Sequence, residues 1–351
     1  MPGQKKEPLL TIAVPTFNRA ANLRCLLECL RVESEAIRNE IAVLVLDNAS
    51  GDDTPKVLAD YSDIWPHAEF KRHAINIGGD ANVAECAYQC RTKYLWVIGD
   101  DDLLMTGALV HVFDLLRKES PDLIYLPSAW TPKIEPGEHR PPIVGLSYDF
   151  MGRATFARRV NVWFTFISGV VVNRELVLAA AGKTAIKRYL GSHFVQLGWV
   201  LNALKFGSQF ICVNDVCVVA TSNNSGGYGL STVFGVNFAT IVSDVFGPDA
   251  ALSRILIRRN LICFLPGLVW QSRFQIIGDF KAESPWPQLR RALDTYSAFW
   301  LLVLPIARLP RGIAWLFFQG ARVISKLVKT YDRAATAASA RVSGTRRRLE
   351  A

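Results

Sequence analysis

The sequence predicts an α/β fold, built on an open, doubly wound, mostly parallel sheet with helices on both faces and followed by a helical region. Apolar runs of strand length alternate with amphipathic helical patterns over the first 126 residues. Strands rich in Val, Ile and Leu and separated by helices are typical of parallel sheets that are covered on both sides. From about residue 232 the pattern becomes helical and more apolar.

The elements of the first half follow the order of successive βαβ units. The predicted strands are LLTIAVPTF, IAVLVLD, AEFKRH, KYLWVIG and DLIYLP. The predicted helices run through Leu23, Leu26, Leu27 and Leu30, from about Thr54, from about Gly79 to Gln89, and through Leu109, Phe113 and Leu116. Ligands of open α/β sheets bind at the carboxyl ends of the strands, so polar residues at these positions are candidates for a site.

The next segments are less regular. A Pro-rich stretch at residues 126–142 predicts a surface excursion, residues 185–206 predict a helix, and QFICVNDVCVVA predicts one strand. The segment TSNNSGGYG predicts a mobile loop that closes over the site, because small polar residues and glycines bury too little surface to fix it. We place one domain at residues 1–231, with halves at 1–126 and 127–231, and a helical region at 232–351.

The net charge of +9 is concentrated near the C-terminus. Residues 281–351 hold 13 Lys+Arg against 4 Asp+Glu, whereas residues 1–280 hold 27 of each. This distribution describes a neutral body with a basic tail, and it argues against a nucleic-acid-binding surface. Seven cysteines, with no apolar leader in MPGQKKEPLL, favour a reducing cytoplasm.

The basic tail is predicted to lie on an anionic membrane. Pro305, Arg308, Pro310 and Arg311 interrupt its apolar segment before ~20 apolar residues accumulate, so no transmembrane span is predicted. A polar stripe at helical spacing comprises Gln319, Arg322, Lys326, Lys329 and Arg333. A basic stripe beside an apolar face is typical of a helix in a membrane interface. The alternative is a helix packed on the body with a solvated polar face.

Three consecutive carboxylates, Asp100, Asp101 and Asp102, follow the apolar run YLWVIG. Adjacent like charges destabilise a fold unless a cation lies among them, and no Arg or Lys occurs within the next four residues. Mg²⁺ or Mn²⁺, held by one or two carboxylates and by phosphate oxygens, resolves the repulsion. Acidic residues at the start of the following helix are the alternative, although three exceed what capping requires.

Three segments in order resemble the successive motifs of family 2 glycosyltransferases of the GT-A fold: TIAVPTFNRAANLRCLLECL, VLVLDNASGDDT and NIGGDANVAECAYQCRTKYLWVIGDDDLL. The resemblance covers residues 9–130 closely and 163–230 more loosely, and it is nearest to the abequosyltransferase-like bacterial branch, which builds surface polysaccharide. It implies a nucleotide-sugar-binding half at 1–126, an acceptor half at 127–231, a divalent metal and transfer with inversion.

The resemblance also implies the partners and the location of the protein. The donor is expected to be a nucleotide-diphosphate sugar, and the acceptor a lipid-linked glycan or a polysaccharide. The protein is expected at the cytoplasmic face of the inner membrane, where the basic helices meet the anionic surface.

The resemblance assigns roles to individual residues. The donor-binding positions are Pro15, Thr16, Asn18, Arg19, Asp47, Asn76, Gly78, Asp80, Asn82 and Asp100. Asp101 is expected to be the main metal ligand and Asp102 a second ligand or a group behind it. Gly99 stands where the family has the first aspartate of Asp-x-Asp. Asn76 and Gly78 have an alternative as turn formers, and Asp47 as a turn cap.

The catalytic base is expected to be His193. Most of the family has a Glu-Asp pair here, whereas this chain has Ser192-His193, and histidine is a competent base near neutral pH. Asp149 and Asp215 are the alternatives. Ser168 and Gly169 resemble the acceptor-side strand. The missing pair also leaves open a catalytically weak nucleotide-sugar-binding protein that scaffolds envelope assembly.

Overall fold

A computed structural model describes residues 7–133, 140–222, 227–275, 280–281, 283, 286–343 and 346–349. These residues fall into two compact units. Unit 1 comprises the described chain up to Met151, Phe164–Ser222 and the strand at residues 346–349. Unit 2 comprises Gly152–Trp163 and the described residues between 227 and 343.

The described strands all belong to unit 1. They are β1 (Leu10–Thr16), β2 (Ile41–Asp47), β3 (Ala68–Arg72), β4 (Tyr94–Val97), β5 (Leu103–Leu104), β6 (Leu123–Tyr125), β7 (Ser128–Thr131), β8 (Leu146–Met151), β9 (Val170–Asn173), β10 (Phe210–Val213), β11 (Val218–Thr221) and β12 (Arg346–Leu349). Nine of them form one sheet in the order β12-β8-β10-β6-β9-β4-β1-β2-β3, and β5-β11-β7 form a second sheet.

The large sheet is mixed. Strands β3, β2, β1 and β4 run parallel to one another, and so do β6 and β10. Strand β9 is antiparallel to both β4 and β6, and β8 is antiparallel to β10 and β12. The predicted α/β class is confirmed, and the parallel region contains the strands that the sequence identified most clearly.

The helices follow the strands in chain order. They are α1 (Ala20–Glu33), α2 (Thr54–Tyr61), α3 (Gly79–Gln89), α4 (Ala108–Glu119), α5 (Arg153–Val160), α6 (Arg174–Ala181), α7 (Thr184–Lys187), α8 (Leu197–Phe206), α9 (Phe238–Phe246), α10 (Ala251–Cys263), α11 (Leu265–Phe274), α12 (Trp286–Leu293), α13 (Leu304–Arg308) and α14 (Arg311–Ser343). Helices α5 and α9–α14 belong to unit 2.

The core of unit 1 lies between the large sheet and its helices. Ile12 and Val14 of β1 pack in one buried cluster with Leu23 of α1 and Phe113 of α4. Helices α3 and α8 contact strands through residues outside that cluster, such as the buried Ala84. The alternation of side chains along a strand explains why β1 serves both sets of helices. Because β1, β2 and β4 are parallel, their carboxyl ends lie at one edge of the sheet.

Two predictions from the sequence are wrong, because each segment was predicted as one element and contains two. QFICVNDVCVVA forms β10 and β11 in different sheets, because Asn214 N–H bonds to Ser147 C=O and Asp215 accepts from Ser147 N–H. The helix predicted at 185–206 is divided into α7 and α8, and Gly191 and His193 between them have φ of 82° and 61°. Left-handed backbone of this kind ends a helix.

Two predicted loops lie partly outside the described residues. In the Pro-rich stretch, Ser128–Thr131 forms β7 and residues 134–139 lie outside the described part. In TSNNSGGYG, residues 223–226 lie outside it as well.

Unit 2 is helical and ends in the 33-residue helix α14. Small or aromatic residues on one face of α14, Ala314, Phe318 and Ala321, point into the unit, and Phe318 stacks on Trp270 with ring centroids 4.9 Å apart. Within the described residues, none of the helices combines the length and the apolar character needed to cross a bilayer.

The last basic residues of the chain do not extend α14. Arg346 and Arg347 belong to β12, where their side chains pair with Asp149 and Glu119 at 3.1 Å each. These two arginines therefore serve the sheet of unit 1.

Candidate active site

A guanidinium lies beside the consecutive aspartates that follow β4. Arg19 Nη1 donates to Asp100 Oδ1 at 3.0 Å and lies 2.9 Å from Asp101 Oδ2. The Thr16 hydroxyl donates to Asp100 Oδ2 at 2.7 Å. The chain thus supplies a cation to the carboxylates from the loop after β1, which a search of the neighbouring sequence could not detect.

Asp102 is held from a different side. The Ser168 hydroxyl donates to Asp102 Oδ2 at 2.5 Å and accepts from Gly99 N–H at 2.9 Å. Thr221 N–H donates to Asp102 Oδ1 at 3.4 Å, and the Thr221 hydroxyl donates to the Asp101 carbonyl at 2.7 Å. Ser168 and Thr221 therefore fix the turn after β4, a role that the sequence did not indicate for either residue.

Burial controls the protonation of two of the three carboxyl groups. Desolvation, reinforced by the charge of Asp101, raises the pKa of Asp100 to about 6 and that of Asp102 to about 7. Arg19 acts on Asp100 in the opposite direction, but the cost of removing water is larger. An additional cation would favour the ionised forms of both groups.

The donor atoms at this turn fit a hard divalent cation. Carboxylate oxygens are the ligands that Mg²⁺ and Mn²⁺ prefer. Among the residues that the structure describes, no three His, Cys, Asp or Glu side chains converge as a ligand set. A bound cation would thus take one or two carboxylates and complete its shell with ligand oxygens and water, as Mg²⁺ usually does.

Gly99 leaves space for the two carboxylates expected to hold the metal. A Cβ on Gly99 would lie 3.0 Å from Asp102 Oδ2 and 3.2 Å from Asp101 Oδ1. The aspartate that the family has at this position would crowd them, so the departure from Asp-x-Asp agrees with the local packing.

The end of β2 contributes a fully buried carboxylate. Asp47 Oδ1 accepts from Ser50 N–H at 2.9 Å, so the residue caps the turn after β2. Asp47 Oδ2 lies 3.5 Å from Arg72 Nε and has no hydrogen-bond partner within the described part of the chain. Buried oxygens of this kind normally have a partner, so the vacant acceptor favours a ligand contact.

The loops after β1 and β2 are joined by Asn18. Its N–H donates to Ser50 Oγ at 2.8 Å, and its Oδ1 accepts from Gly51 N–H at 2.7 Å. Pro15, which the sequence also predicts to contact the nucleotide-sugar donor, lies in β1 beside Leu46 of β2. The structure thus brings the predicted residues of both loops to one edge of the sheet.

Asn76 and Gly78 shape the turn before α3. Asn76 Oδ1 accepts from Asn48 Nδ2 at 2.9 Å and from Gly78 N–H at 2.8 Å. Gly78 has φ of 89°, which a residue with a side chain rarely adopts. In α3, Asn82 donates to the Leu46 carbonyl at 3.0 Å and its Oδ1 lies 3.0 Å from His73 Nε2. Contacts of these three residues with a donor stay predictions.

Asp80 holds the segment that contains His193. Asp80 Oδ2 accepts from His193 N–H at 2.8 Å, and the backbone amides of Gly191 and Val195 also act on this carboxylate. Burial raises the pKa of Asp80 despite these contacts. The His193 side chain is exposed. The structure therefore connects Asp80 with the segment of the predicted base, whereas the sequence suggested only a donor contact.

The alternative bases are engaged elsewhere in unit 1. Asp149 forms an ion pair with Arg346, and Asp215 accepts from Ser147 N–H at 2.7 Å. Asp149 lies in β8 and Asp215 is bound to it, and the role of His193 as the base stays a prediction.

This geometry agrees with the comparisons with known proteins. Residues 11–178 match the Glycosyl transferase family 2 model. This match confirms, over that part of the chain, the resemblance to family 2 glycosyltransferases that the motifs indicate.

Two curated relatives carry the comparison further. The abequosyltransferase RfbV of Salmonella typhimurium is 28% identical over 106 residues, which are 29% of this chain and 30% of the relative. The minor teichoic acid biosynthesis protein GgaA of Bacillus subtilis is 23% identical over 133 residues, 37% of this chain and 30% of the relative. The matches thus span less than a third of the length of either relative.

Solved structures show the same fold. S. aureus TarS 1-349 has a TM-score of 0.57 at 13% identity, covering 92% of this chain and 91% of that one. The structure of TarS 1-349 in complex with UDP-GlcNAc has a TM-score of 0.57 at 14% identity, covering 92% of each chain. These similarities support the GT-A architecture.

Proposed function

We propose that this protein is an inverting glycosyltransferase that moves a sugar from a nucleotide-diphosphate sugar to a lipid-linked or polysaccharide acceptor in bacterial envelope glycan synthesis. The observation that carries the proposal is the convergence of Thr16, Arg19, Asp47 and Asp100–Asp102 at the ends of β1, β2 and β4, in a chain of the matching family. Domain limits at 1–126, 127–231 and 232–351 remain part of the proposal.

The nucleotide is proposed to lie at the ends of β1 and β2. Asp47 offers its vacant buried oxygen to a base or ribose hydrogen-bond donor. Asn18 and Ser50 keep the two loops at a fixed separation, and this order reduces the entropy lost on binding. The pKa of Asp100 is about 6, and its ionised carboxylate would accept a hydrogen bond from a ribose hydroxyl.

The diphosphate is proposed to lie beside Asp101 and Arg19. When bound to Asp101 and Asp102, Mg²⁺ or Mn²⁺ would neutralise the charge that develops on the leaving diphosphate. The Arg19 guanidinium, which now binds Asp100 and Asp101, is itself a phosphate ligand of suitable geometry. The site therefore combines carboxylates for a cation with a cation for the phosphate.

His193 is proposed as the base. The acceptor hydroxyl oxygen bonds to the anomeric carbon on the face opposite the diphosphate, the bond from that carbon to the leaving oxygen breaks, and the hydroxyl proton passes to the imidazole. Asp80 acts as a positioning residue, because it binds the His193 backbone and fixes the segment around it.

We propose that the protein binds its acceptor at a membrane surface. Helix α14 exposes apolar residues that its packing face does not use: Ile313, Leu316, Phe317, Val323, Ile324, Leu327 and Tyr331. Exposed Arg322, Lys326 and Lys329 lie on another side of the helix. An apolar stripe with neighbouring cations suits the interface of an anionic bilayer, and we place the protein at the cytoplasmic face of the inner membrane.

The test separates transfer from binding. UDP-, GDP-, CDP- and dTDP-sugars are compared by thermal shift with and without Mn²⁺, and turnover of the stabilising donor is then measured. For His193→Ala we expect at least ~100-fold slower transfer with an unchanged donor shift, the usual contribution of a general base. A donor that stabilises the protein without any turnover in the wild type would instead support the catalytically weak scaffold. No stabilisation by any donor would contradict both functions.

A further inference from the structure

Unit 2 contains a cavity of about 700 Å³ whose wall carries four arginines, Arg158, Arg254, Arg258 and Arg259. Helix α5 contributes the first and α10 the other three. Asp332 of α14 is the one acidic residue among those that line the cavity, and it pairs with Arg259. The lining therefore has a surplus of positive charge, and none of this charge takes part in the site at the sheet edge.

Three of the guanidiniums retain donors for a ligand, although Arg254 Nη1 already donates to the Asp249 carbonyl. Within the described part of the chain, no carboxylate forms an ion pair with Arg158, Arg254 or Arg258. Each of the three side chains is exposed to solvent. Several like charges around one concavity repel each other, and an anion that enters the cavity relieves this repulsion. Guanidiniums match phosphate oxygens in pairs, which makes a phosphate the best-fitting anion.

The rest of the cavity wall is largely apolar. It includes Ala251, Ile255, Ile262, Ala298 and Val328. A small inorganic ion would leave these side chains without a partner, whereas a phosphate that is joined to a hydrocarbon would contact both kinds of surface.

The cavity also adjoins the exposed apolar face of α14. Val328 lines the cavity, while Ile324 and Tyr331, four residues before and three after it, are exposed neighbours on the helix surface. An amphiphile whose chain lies along this apolar face could thus place its headgroup among the arginines.

The geometry points to a binding site for the phosphate group of an amphiphile in the arginine cavity of unit 2. This inference rests on the membrane part of the proposed function and is independent of the transfer chemistry. Two sources share the chemistry, the phosphate headgroup of a membrane lipid and a free phosphate. The apolar wall favours the lipid.

The probe is dihexanoyl phosphatidate below its micelle concentration, titrated calorimetrically against the full chain, with inorganic phosphate as the second arm. We expect Arg258→Gln to bind phosphatidate at least ~10-fold more weakly than the wild type. Arg258→Lys should be intermediate, because the charge remains while the paired geometry is lost. The matched control is Arg291→Gln, which removes an exposed arginine of unit 2 that does not line the cavity and should bind like the wild type.

The outcomes separate the sources and the proposals. Inorganic phosphate bound as tightly as phosphatidate, with the same loss in Arg258→Gln, would support a site for free phosphate. In flotation with phosphatidylcholine vesicles that contain phosphatidate, the bound fraction of the variants should follow the same order as their affinity for dihexanoyl phosphatidate. No phosphatidate binding by the wild type, or equal losses in Arg258→Gln and Arg291→Gln, would overturn the inference. Donor-induced thermal shifts measured on the same samples report on the transferase site separately.

Discussion

The ion pairs of Arg19 show how one side chain connects two distant parts of the sequence. Arg19 and Asp100 are 81 residues apart, and the parallel pairing of β1 with β4 brings them together. The sequence identified both residues as donor contacts but gave no sign that they bind each other. Such pairing depends on the order of strands in the sheet, which a local pattern does not contain.

Replacement of Arg19 by Ala should destabilise the protein when no metal is present. The change leaves the buried Asp100 and Asp101 without their cation, and we expect a loss of about 1 to 3 kcal/mol in the free energy of unfolding, below the usual range for buried pairs because Arg19 is partly exposed. Chemical denaturation measures this loss. Mn²⁺ should restore more stability to the variant than to the wild type.

Arg24→Ala is the control for Arg19→Ala. Arg24 pairs with Asp60 at 2.7 Å on the surface, where screening by solvent leaves such pairs with little effect on stability. Equal losses in the two variants would contradict a special role for Arg19.

Asp102 should make stability depend on pH. Its folded pKa of about 7 is above the ordinary value of 3.8, so the folded state retains a proton that the unfolded state releases. The resulting stabilisation is complete below pH 4 and is lost as the pH rises to about 7. Between pH 4 and pH 7 the free energy of unfolding of the wild type should fall on the order of a few kcal/mol relative to that of Asp102→Asn, since each pKa unit corresponds to about 1.4 kcal/mol.

Metal-free unfolding curves at several pH values test the role of Asp102. A constant difference between the wild type and Asp102→Asn from pH 4 to 8 would contradict the raised pKa. Saturating Mn²⁺ should reduce the pH dependence, because the cation favours the ionised carboxylate.

At the scale of elements, the strands and helices that alternate in the first 126 residues were predictable, because each apolar run has the length and the period of its element. The predicted helix from Gly79 to Gln89 matches α3. The second half was harder. Only Asn214 and Asp215 interrupt the apolar residues of β10 and β11, and the separation of the two strands depends on the hydrogen bonds of both residues with Ser147, a residue of β8 more than 60 positions away.

Close packing of α7 and α8 determines the geometry of the segment that carries His193. Gly198 permits this approach, because a Cβ there would lie 2.1 Å from the Ala185 carbonyl oxygen. Gly198→Ala should therefore separate the helices and cost about 1 to 3 kcal/mol. Transfer should slow as well, because the segment between the helices holds the proposed base.

Denaturation and turnover test the effect of Gly198→Ala. Gly267→Ala in α11 is the control, since a Cβ at Gly267 meets no atom within 4 Å, and it should leave both properties almost unchanged. If Gly198→Ala has the same free energy of unfolding as the wild type, the backbone adjusts to the added Cβ without loss of stability, which would contradict this prediction.

At the scale of the whole molecule, the charge distribution predicts how membrane binding responds to salt. The described positive charges of α14 lie beside an apolar face, so that binding should have an electrostatic and a hydrophobic part. Flotation with anionic vesicles should weaken severalfold between 0.05 and 0.5 M NaCl, where the screening length falls from about 14 to about 4 Å. The double variant with Leu316→Gln and Leu327→Gln should show a smaller fraction of protein that stays bound to the vesicles at 0.5 M NaCl.

Neutral vesicles provide the contrast for the salt series. Binding to pure phosphatidylcholine should be weaker and almost independent of salt. Binding unaffected by both salt and the leucine substitutions would assign α14 to another role, such as packing with a solvated face.

Strand β12 has a consequence for solubility. It covers β8, a strand with Tyr148 and Phe150, and presents Arg346, Arg347 and Arg348 along the outer side of the sheet. Unpaired apolar strands recruit strands from other molecules, and charged side chains on an edge strand discourage that recruitment. Deletion of the chain from Arg346 onward would expose β8 as a template for self-association, so expression designs should keep these last residues.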